Sequence, residues 1–233
     1  QQMPDNRAQL YSAFVDDLYQ REYDHAEARG QSFPERPLLE SYLTDIANLM
    51  QADTTTVLKT DNVPAQEALL QAALDATILT RDGDDLRFTH QLLQEYFAAR
   101  TLLEQMTSNT DPRPLFGDSW ANVTVWRETV NMLIDFSKDP QAVTRWVAQA
   151  SLPLAIEIIE TRSLKLDDLT RQTLLDVAKE THTATDVIRR ANAYRVMGLL
   201  DVDKRQGIHV VVHDGIQLPD IDWVLIPNDG EWI

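Results

Sequence analysis

The chain has 233 residues, of which 43% are hydrophobic, and this is enough apolar material for more than one compact unit. It contains no cysteine, which excludes disulfides, thiolate zinc sites and a cysteine nucleophile. The formal net charge of −16 disfavours nonspecific binding to nucleic acids and docking on anionic membranes, because both depend on surfaces rich in lysine and arginine.

The first sixty residues predict two amphipathic helices. Leu10, Phe14 and Leu18 recur at helical spacing, and Asp5 precedes them as the expected N-cap. The charged segment 24–37, which contains glycine and two prolines, predicts a linker or exposed loop. The segment 54–62 is polar and β-branched, and it predicts a loop or a short helical turn. The second helix between these segments has an apolar stripe made of Leu39, Tyr42, Leu43, Ile46, Leu49 and Met50.

A third helix and a hairpin are predicted next. Val63 and Pro64 open a helix over 64–75, and apolar residues on either side of Asp82-Gly83 indicate a β-hairpin. Helix, helix, hairpin, helix is the order of a winged helix. Many winged helices bind DNA, but segment 64–75 contains Glu67 and Asp75 and no lysine or arginine, so we expect no DNA binding by this unit.

The segment 87–100 predicts a helix with a histidine at its start, and this helix carries the main functional indication of the chain. Thr89 is expected to cap it, which makes His90 its first residue. Backbone N–H groups at a helix start carry partial positive charge, and a neutral imidazole can donate one N–H to a phosphate oxygen. His90 is therefore a candidate phosphate-binding residue, and the alternative is an ordinary, partly exposed polar residue or a local cap. The predicted buried face contains Leu92, Tyr96, Ala99 and Leu103, with Leu93 and Phe97 beside it.

The segment 107–119 is rich in aspartate, proline, asparagine and glycine, and it predicts a linker. We expect a helical and winged-helix domain over 1–106, stacked helix pairs of the HEAT-like kind over 120–206, and the first strands of an α+β domain over 207–233. The fold class is therefore mainly α. An irregular helical bundle is the alternative to the HEAT-like pairs.

Helical stripes separated by short polar turns are the basis for the predicted pairs. Trp120, Trp126 and Trp146 are expected to be core residues rather than the lining of a ligand groove. The stripes consist of Val123, Trp126, Val130, Leu133 and Ile134; Val143, Trp146, Val147 and Ala150; Leu154, Ile158 and Ile159; Leu169, Leu174 and Val177; and Ala184, Val187, Ile188, Ala191 and Tyr194.

The chain contains neither the phosphate-binding loop G-x-x-x-x-G-K-[ST] nor a G-x-S-x-G nucleophile elbow. His209 and His213 are four residues apart, but the intervening valines predict a strand rather than a helical zinc pair. Asp220, Asp222 and Glu231 are expected to be solvated carboxylates rather than metal ligands. We therefore predict no catalytic residue and no metal ligand in this chain.

The segment around His90 resembles a known family. The pattern F-x-H-x-x-x-Q-E-Y/F-x-A-A is similar to the last helix of the winged-helix domain in NACHT-type NTPases of the STAND class, and WRETVNMLIDF over 126–136 resembles the helices that follow it. In that family the histidine reaches the phosphates of bound ADP and helps to hold the protein closed. The resemblance implies that His90 senses ADP or ATP bound by an upstream domain. The matching residues are Phe88, His90, Gln94, Glu95, Tyr96, Ala98 and Ala99.

The end of the chain resembles a second family. The text DGIQLPDIDWVLIPNDGEWI over 214–233 is similar to the opening of formylglycine-generating-enzyme-like domains, also called sulfatase-modifying-factor domains, and 202–208 resembles the connector that precedes them. This resemblance implies a C-type-lectin-like fold. Relatives use that fold either for catalysis with cysteines or for ligand display, including display by variable proteins that retroelements diversify.

Together these features predict the regulatory and connecting portion of a cytoplasmic NACHT-type STAND signalling ATPase. Its expected partners are its own upstream nucleotide-binding domain, further copies on activation, and a protein or other ligand at the C-terminal domain. The polar beginning of the chain and the domain-opening pattern at its end lead us to expect a fragment of a longer protein. The alternatives are a helical spacer that presents a C-terminal ligand-binding or modifying domain, and a helical scaffold with no nucleotide link.

Overall fold

The fold is mainly α, as predicted. The computed structural model contains ten α-helices and five short strands within the residues that it describes. The chain divides into two compact units, residues 1–170 and residues 171–233. The described residues are 6–116, 120–203, 210–213 and 215–219.

The first unit begins with α1 (Arg7–Ala28). The side chain of Asn6 caps this helix, because its Oδ1 accepts a hydrogen bond of 2.9 Å from the backbone N–H of Gln9. The predicted cap, Asp5, is therefore wrong by one residue.

α2 (Arg36–Ala52) follows after a connection shorter than predicted. α1 occupies the first part of segment 24–37 and α2 its last two residues, so only 29–35 is a loop. Gly30 provides the left-handed turn after α1, with φ of +68°, and Pro37 lies in the first turn of α2. The predicted apolar stripe of α2 is buried except for Leu49, which is exposed.

The segment of the chain between α2 and the helix with the NACHT-like pattern forms a three-stranded antiparallel sheet of order β1-β3-β2. Its first strand falls in segment 54–62, which was predicted to be a loop or turn, and Leu58 pairs there with Leu86. The hairpin closes on the pair Asp82–Asp85, so its turn lies one residue later than predicted. With α2 in front, these elements have the order of a winged helix: helix, strand, helix and hairpin. The elements are β1 (Leu58–Lys59), the 3-10 turn Thr60–Asn62, α3 (Glu67–Asp75), β2 (Leu79–Asp82) and β3 (Asp85–Phe88).

The helices that follow share one core with the winged helix. The buried apolar cluster of the first unit includes Val15 on α1, Phe97, Leu133 and Ile158, and it runs without interruption from α1 to the eighth helix. The predicted stripes over 123–134 and 154–159 are buried, and so is the stripe over 143–150 except for Ala150, which is partly buried. These helices are α4 (Gln91–Thr107), α5 (Arg113–Phe116), α6 (Trp120–Ser137), α7 (Pro140–Ala148) and α8 (Leu152–Arg162).

The segment predicted as a linker, 107–119, contributes to this core. Phe116 is fully buried, and its ring lies 4.9 Å from that of Trp126 and 5.7 Å from that of Trp146. The indole N–H of Trp146 also donates a 2.9 Å hydrogen bond to the carbonyl of Thr110. The prediction that these two tryptophans are core residues is confirmed, whereas the side chain of Trp120 lies outside the description.

Six of the described helices end in the same kind of turn. One residue adopts the left-handed conformation, and the N–H of the next residue donates to the carbonyl five positions before it. Only α1 uses glycine there. α2 and α3 use Thr54 (φ +52°) and Thr77 (φ +56°), and β-branched residues rarely adopt this conformation. These two helix ends therefore carry backbone strain.

The second unit contains most of α9 (Asp168–Thr181), then α10 (Val187–Leu199) and the hairpin of β4 (Val210–His213) with β5 (Ile216–Pro219). The predicted apolar stripe of α10 is wrong, because Val187 and Ile188 are exposed. The buried positions of this helix are instead Asn192, Ala193 and Val196. In the described ranges no helix combines the length and apolar content needed to cross a membrane.

Candidate functional site

The start of α4 is fixed by the hairpin before it. The backbone N–H of Thr89 donates to the carbonyl of Ile78 at 3.0 Å, and its hydroxyl donates to the carbonyl of Thr77. Both hydrogen-bond donors of Thr89 are therefore bound to carbonyls just before β2. The prediction that Thr89 caps the helix is wrong. The N-cap is His90, one residue later, and α4 begins at Gln91.

His90 occupies an exposed position at this helix start. Its backbone is extended, with φ of −132° and ψ of 133°, and its carbonyl accepts the first bond of the helix from the N–H of Leu93 at 2.9 Å. In the described part of the chain its imidazole makes no capping hydrogen bond. The first-turn N–H groups and the imidazole consequently lie together at the positive end of the helix dipole. This arrangement suits an anion such as a phosphate group.

The other residues of the NACHT-like pattern are placed differently. Phe88, Gln94, Glu95, Tyr96, Ala98 and Ala99 are all buried, each with at most 5% of its surface exposed. The ring of Phe97 lies between those of Phe88 and Tyr96, at 5.8 and 5.1 Å. The pattern therefore combines one exposed residue, His90, with six residues that pack α4 into the core.

α4 is enclosed on more sides than the predicted apolar face implied. All residues from Leu93 to Ala99 are buried, whereas Leu92 and Leu103, which were predicted on the buried face, are only partly covered. The burial of two polar side chains, Gln94 and Glu95, was not predicted. Their position between the apolar pairs Leu92-Leu93 and Tyr96-Phe97 was the available signal, but their polarity argued against it.

Gln94 belongs to a hydrogen-bonded chain that links three helices. Its amide donates to the carbonyl of Thr55 at 3.2 Å and approaches Oε1 of Gln51 at 3.5 Å. The amide of Gln51 in turn donates to the carbonyl of Val125 in α6 at 3.0 Å. These contacts fix α4 against the end of α2 and against α6, because a slip of either helix leaves buried amide groups without partners.

Glu95 lies at the junction of α1, α4 and α6. Its Oε1 accepts a 3.0 Å hydrogen bond from the amide of Gln91, and no described donor lies within reach of its Oε2. The pKa of Glu95 is raised to about 7, mainly by burial and to a smaller extent by the negative charge of Glu128, while the bond from Gln91 and the charge of Arg7 oppose the rise. Neutral and ionised forms of this carboxyl group therefore coexist near neutral pH.

A cavity of about 330 Å³ opens between the same helices and α2. The two guanidinium groups that line the cavity, those of Arg36 and Arg100, both form ion pairs with Glu40, at 2.8 and 2.9 Å. Arg100 lies roughly 14 Å along the axis from the start of α4, at about 1.5 Å per residue, so the cavity and His90 form separate places. The lining residues are Ser12, Arg36, Glu40, Tyr96, Arg100, Leu103, Glu104 and Phe136.

Most of the C-terminal candidate residues lie outside the described ranges. His209, Asp220, Asp222 and Glu231 lie outside the described residues, and His213 is the last residue of β4. Among the residues that are described, no group of three or more histidine, aspartate or glutamate side chains is arranged to hold a metal ion.

Comparison of the chain with protein-family models, with curated proteins and with solved structures finds no match. The candidate site therefore stands on its geometry and on the sequence patterns given above.

Proposed function

We propose that this chain is the regulatory and connecting portion of a NACHT-type STAND signalling ATPase. In this proposal an upstream domain of the parent protein binds ADP or ATP, and His90 contacts the phosphates of ADP in the resting state. The observation that carries the proposal is the exposure of His90 alone, among the residues of the NACHT-like pattern, at the helix start.

The chemistry at that helix start supports a phosphate contact. The imidazole supplies one N–H donor, and the first turn of α4 adds backbone donors and a favourable dipole. His90 needs no catalytic role for this purpose, because a hydrogen bond that exists only in the ADP-bound state is sufficient to favour that state.

The core of the first unit supports the connecting role. The winged helix and helices α5 to α8 share buried side chains, and the Gln51–Gln94 chain joins α2, α4 and α6. A displacement of α4 at the nucleotide would therefore move these helices together. In the proposal they relay this displacement to a lectin-like ligand-sensing domain at the C-terminal end, and the opened protein forms oligomers.

The acidic composition supports the exclusion of nucleic acid as a partner of the winged helix. α3, the helix that a DNA-binding winged helix would place in the major groove, contains Glu67 and Asp75 and no basic residue. Docking on a phosphate backbone would bring like charges together at this helix.

The test is the nucleotide content of the purified full-length parent protein. We expect ADP to be extracted from the wild type and from His25→Ala, a control at an exposed histidine of α1, and little ADP from His90→Ala. ADP retained equally by all three proteins would refute the role of His90.

A second candidate function is a helical spacer that presents a C-terminal ligand-binding or modifying domain. The observation that favours it is the shared core of α1 to α8, which suits a rigid support as well as a relay. Absence of nucleotide from every variant in the extraction experiment would favour this spacer. Paired cysteines in the parent sequence after Ile233 would then indicate a modifying enzyme rather than a display module.

A further inference from the structure

The junction of α1, α4 and α6 contains a carboxyl group that the proposed role of His90 does not use. Glu95 is 5% exposed, and only one of its two oxygens has a hydrogen-bond donor among the described residues. A buried carboxylate is stable when both oxygens accept hydrogen bonds or when a cation lies beside it. Glu95 has neither arrangement, so its charged form is the costly one.

The groups that α1 and α6 place near Glu95 do not remove this cost. Arg7 of α1 forms an ion pair of 2.8 Å with Glu128 of α6, and about half of the Arg7 side chain is exposed. Glu128 adds a negative charge near Glu95. The ring of Tyr11 in α1 is also close to Glu95: burial is the main cause of the raised pKa of the Tyr11 hydroxyl, and the charge of Glu95 is the next. The net effect of these neighbours is to favour a neutral Glu95.

The charged groups of the other elements packed on α4 are paired elsewhere. On α2, Arg36 and Glu40 pair with each other, and Glu40 also binds Arg100. On β3, Arg87 faces Asp82 at 3.8 Å. The electrostatic environment of Glu95 is therefore set by α1 and α6.

α1 is the member of this junction with the least buried surface. Four of its 22 residues are buried, namely Ala8, Val15, Leu18 and Ala26. Its beginning is fastened to α6 by the amide of Asn6, which donates to the carbonyl of Asp135 at 3.1 Å, and by the Arg7–Glu128 pair. Hydration of a newly formed carboxylate at this junction requires a packed helix to move aside, and α1, with few buried residues and with Arg7 and Tyr11 near Glu95, is the helix we expect to move.

We propose that Glu95 makes the docking of α1 on α4 and α6 depend on protonation: the neutral carboxyl group keeps α1 closed on the junction, and the carboxylate loosens it. The inference is independent of the proposed nucleotide contact, because it concerns a different turn of α4 and a different neighbour.

The direction of the pH effect follows from linkage. Burial raises the pKa of Glu95 in the folded state above its ordinary value of 4.5, to about 7. The folded chain therefore binds more protons than the unfolded chain between these two values, and stability from this group falls as the pH rises from 4.5 to 7. A neutral isostere of glutamate removes the effect.

The first test measures urea unfolding of the 233-residue chain at pH 5.5 and pH 8.0. Glu95→Gln is compared with the wild type and with Glu104→Gln, an exposed glutamate on the same helix. We expect Glu95→Gln to stabilise the chain, and the factor by which it lowers the unfolding equilibrium constant to be roughly thirtyfold larger at pH 8.0 than at pH 5.5. Glu104→Gln should show no such difference. A Glu95→Gln chain that is no more stable than the wild type at pH 8.0 would overturn the proposal.

The second test locates the effect in α1. Amide hydrogen exchange at pH 8.0 should be slower over 7–28 in Glu95→Gln than in the wild type, with a smaller change over α7 and α8. Equal slowing across the whole unit would overturn the assignment to α1. If the variant does not fold, the carboxyl carbon resonance of Glu95 in the wild type provides the same decision: a midpoint near the ordinary value of 4.5 would overturn the proposal, and one near neutrality would support it.

Discussion

Two parts of the NACHT-like pattern, the start of α4 and the turns that follow, have different surroundings. His90 is exposed at the start of α4, where backbone donors and the helix dipole face outward. One turn later, the residues from Leu93 to Ala99 are buried on all sides by α1, α2, β3 and α6. Packing therefore accounts for six of the seven matching residues, and the proposed function depends on His90 alone.

The difference separates two kinds of experiment. A substitution in the buried turns should change the stability of the chain whether or not any ligand is present. A substitution at His90 should leave stability nearly unchanged and alter only what binds there.

The largest expected effect is at Phe97, which is fully buried between two aromatic rings. Phe97→Ala should lower the free energy of unfolding by about 3–5 kcal/mol, because it removes a large apolar side chain and leaves a cavity. Phe14→Ala on α1 is the control, since that ring is 38% exposed, and it should cost less than about 1 kcal/mol. Similar losses in the two variants by urea denaturation would contradict the enclosed position of α4.

A smaller effect is expected at Gln94. Gln94→Ala removes the donor to the carbonyl of Thr55, just after α2, and to the buried Oε1 of Gln51 in α2, at a cost of about 2 kcal/mol. Gln71→Ala on α3 is the matched control, because its amide bonds only the exposed Asp75. If the two glutamine variants unfold at the same urea concentration, the chain through Gln51 and Gln94 does not stabilise the unit.

The smallest of these effects concerns the end of α2, beside the carbonyl that Gln94 binds. Thr54 has a φ of +52°, which glycine adopts without strain, so Thr54→Gly should raise the free energy of unfolding by about 0.5–1 kcal/mol. Gly83→Ala provides the opposite case: nothing crowds an added methyl group there, but its φ of +59° should make the change destabilising. Loss of stability on Thr54→Gly in thermal unfolding would show that the threonine side chain contributes more than the strain removes.

Much of the first unit was predictable because its helices alternate apolar and polar residues at a clear helical period. The stripes of α6, α7 and α8 and the hairpin before α4 follow from this local information. β1 was not predictable, because a strand of two residues has no period of its own and exists through its pairing of Leu58 with Leu86. The cap at His90 was missed because the Thr89 hydroxyl bonds the carbonyl of Thr77, a contact made across the hairpin.

The second unit was less predictable. α10 carries two sets of apolar residues: Val187 and Ile188 are exposed, while Ala193 and Val196 are buried. The sequence pattern alone does not distinguish the two faces, since tertiary packing selects between them. The candidate site shows the same limit: the exposure of His90 agrees with the pattern, whereas the burial of the charged residue Glu95 runs against ordinary residue preferences.

The measurement that tests the account most directly is the rate of ADP release from the full-length parent protein, with the unfolding of each variant measured beside it. For His90→Ala we predict release at least about tenfold faster than in the wild type, because a hydrogen bond to a charged group is lost. Its unfolding free energy should stay within about 0.5 kcal/mol of the wild type, and His25→Ala should match the wild type in both measurements. An unchanged release rate in His90→Ala would contradict the claim that this helix start holds the nucleotide.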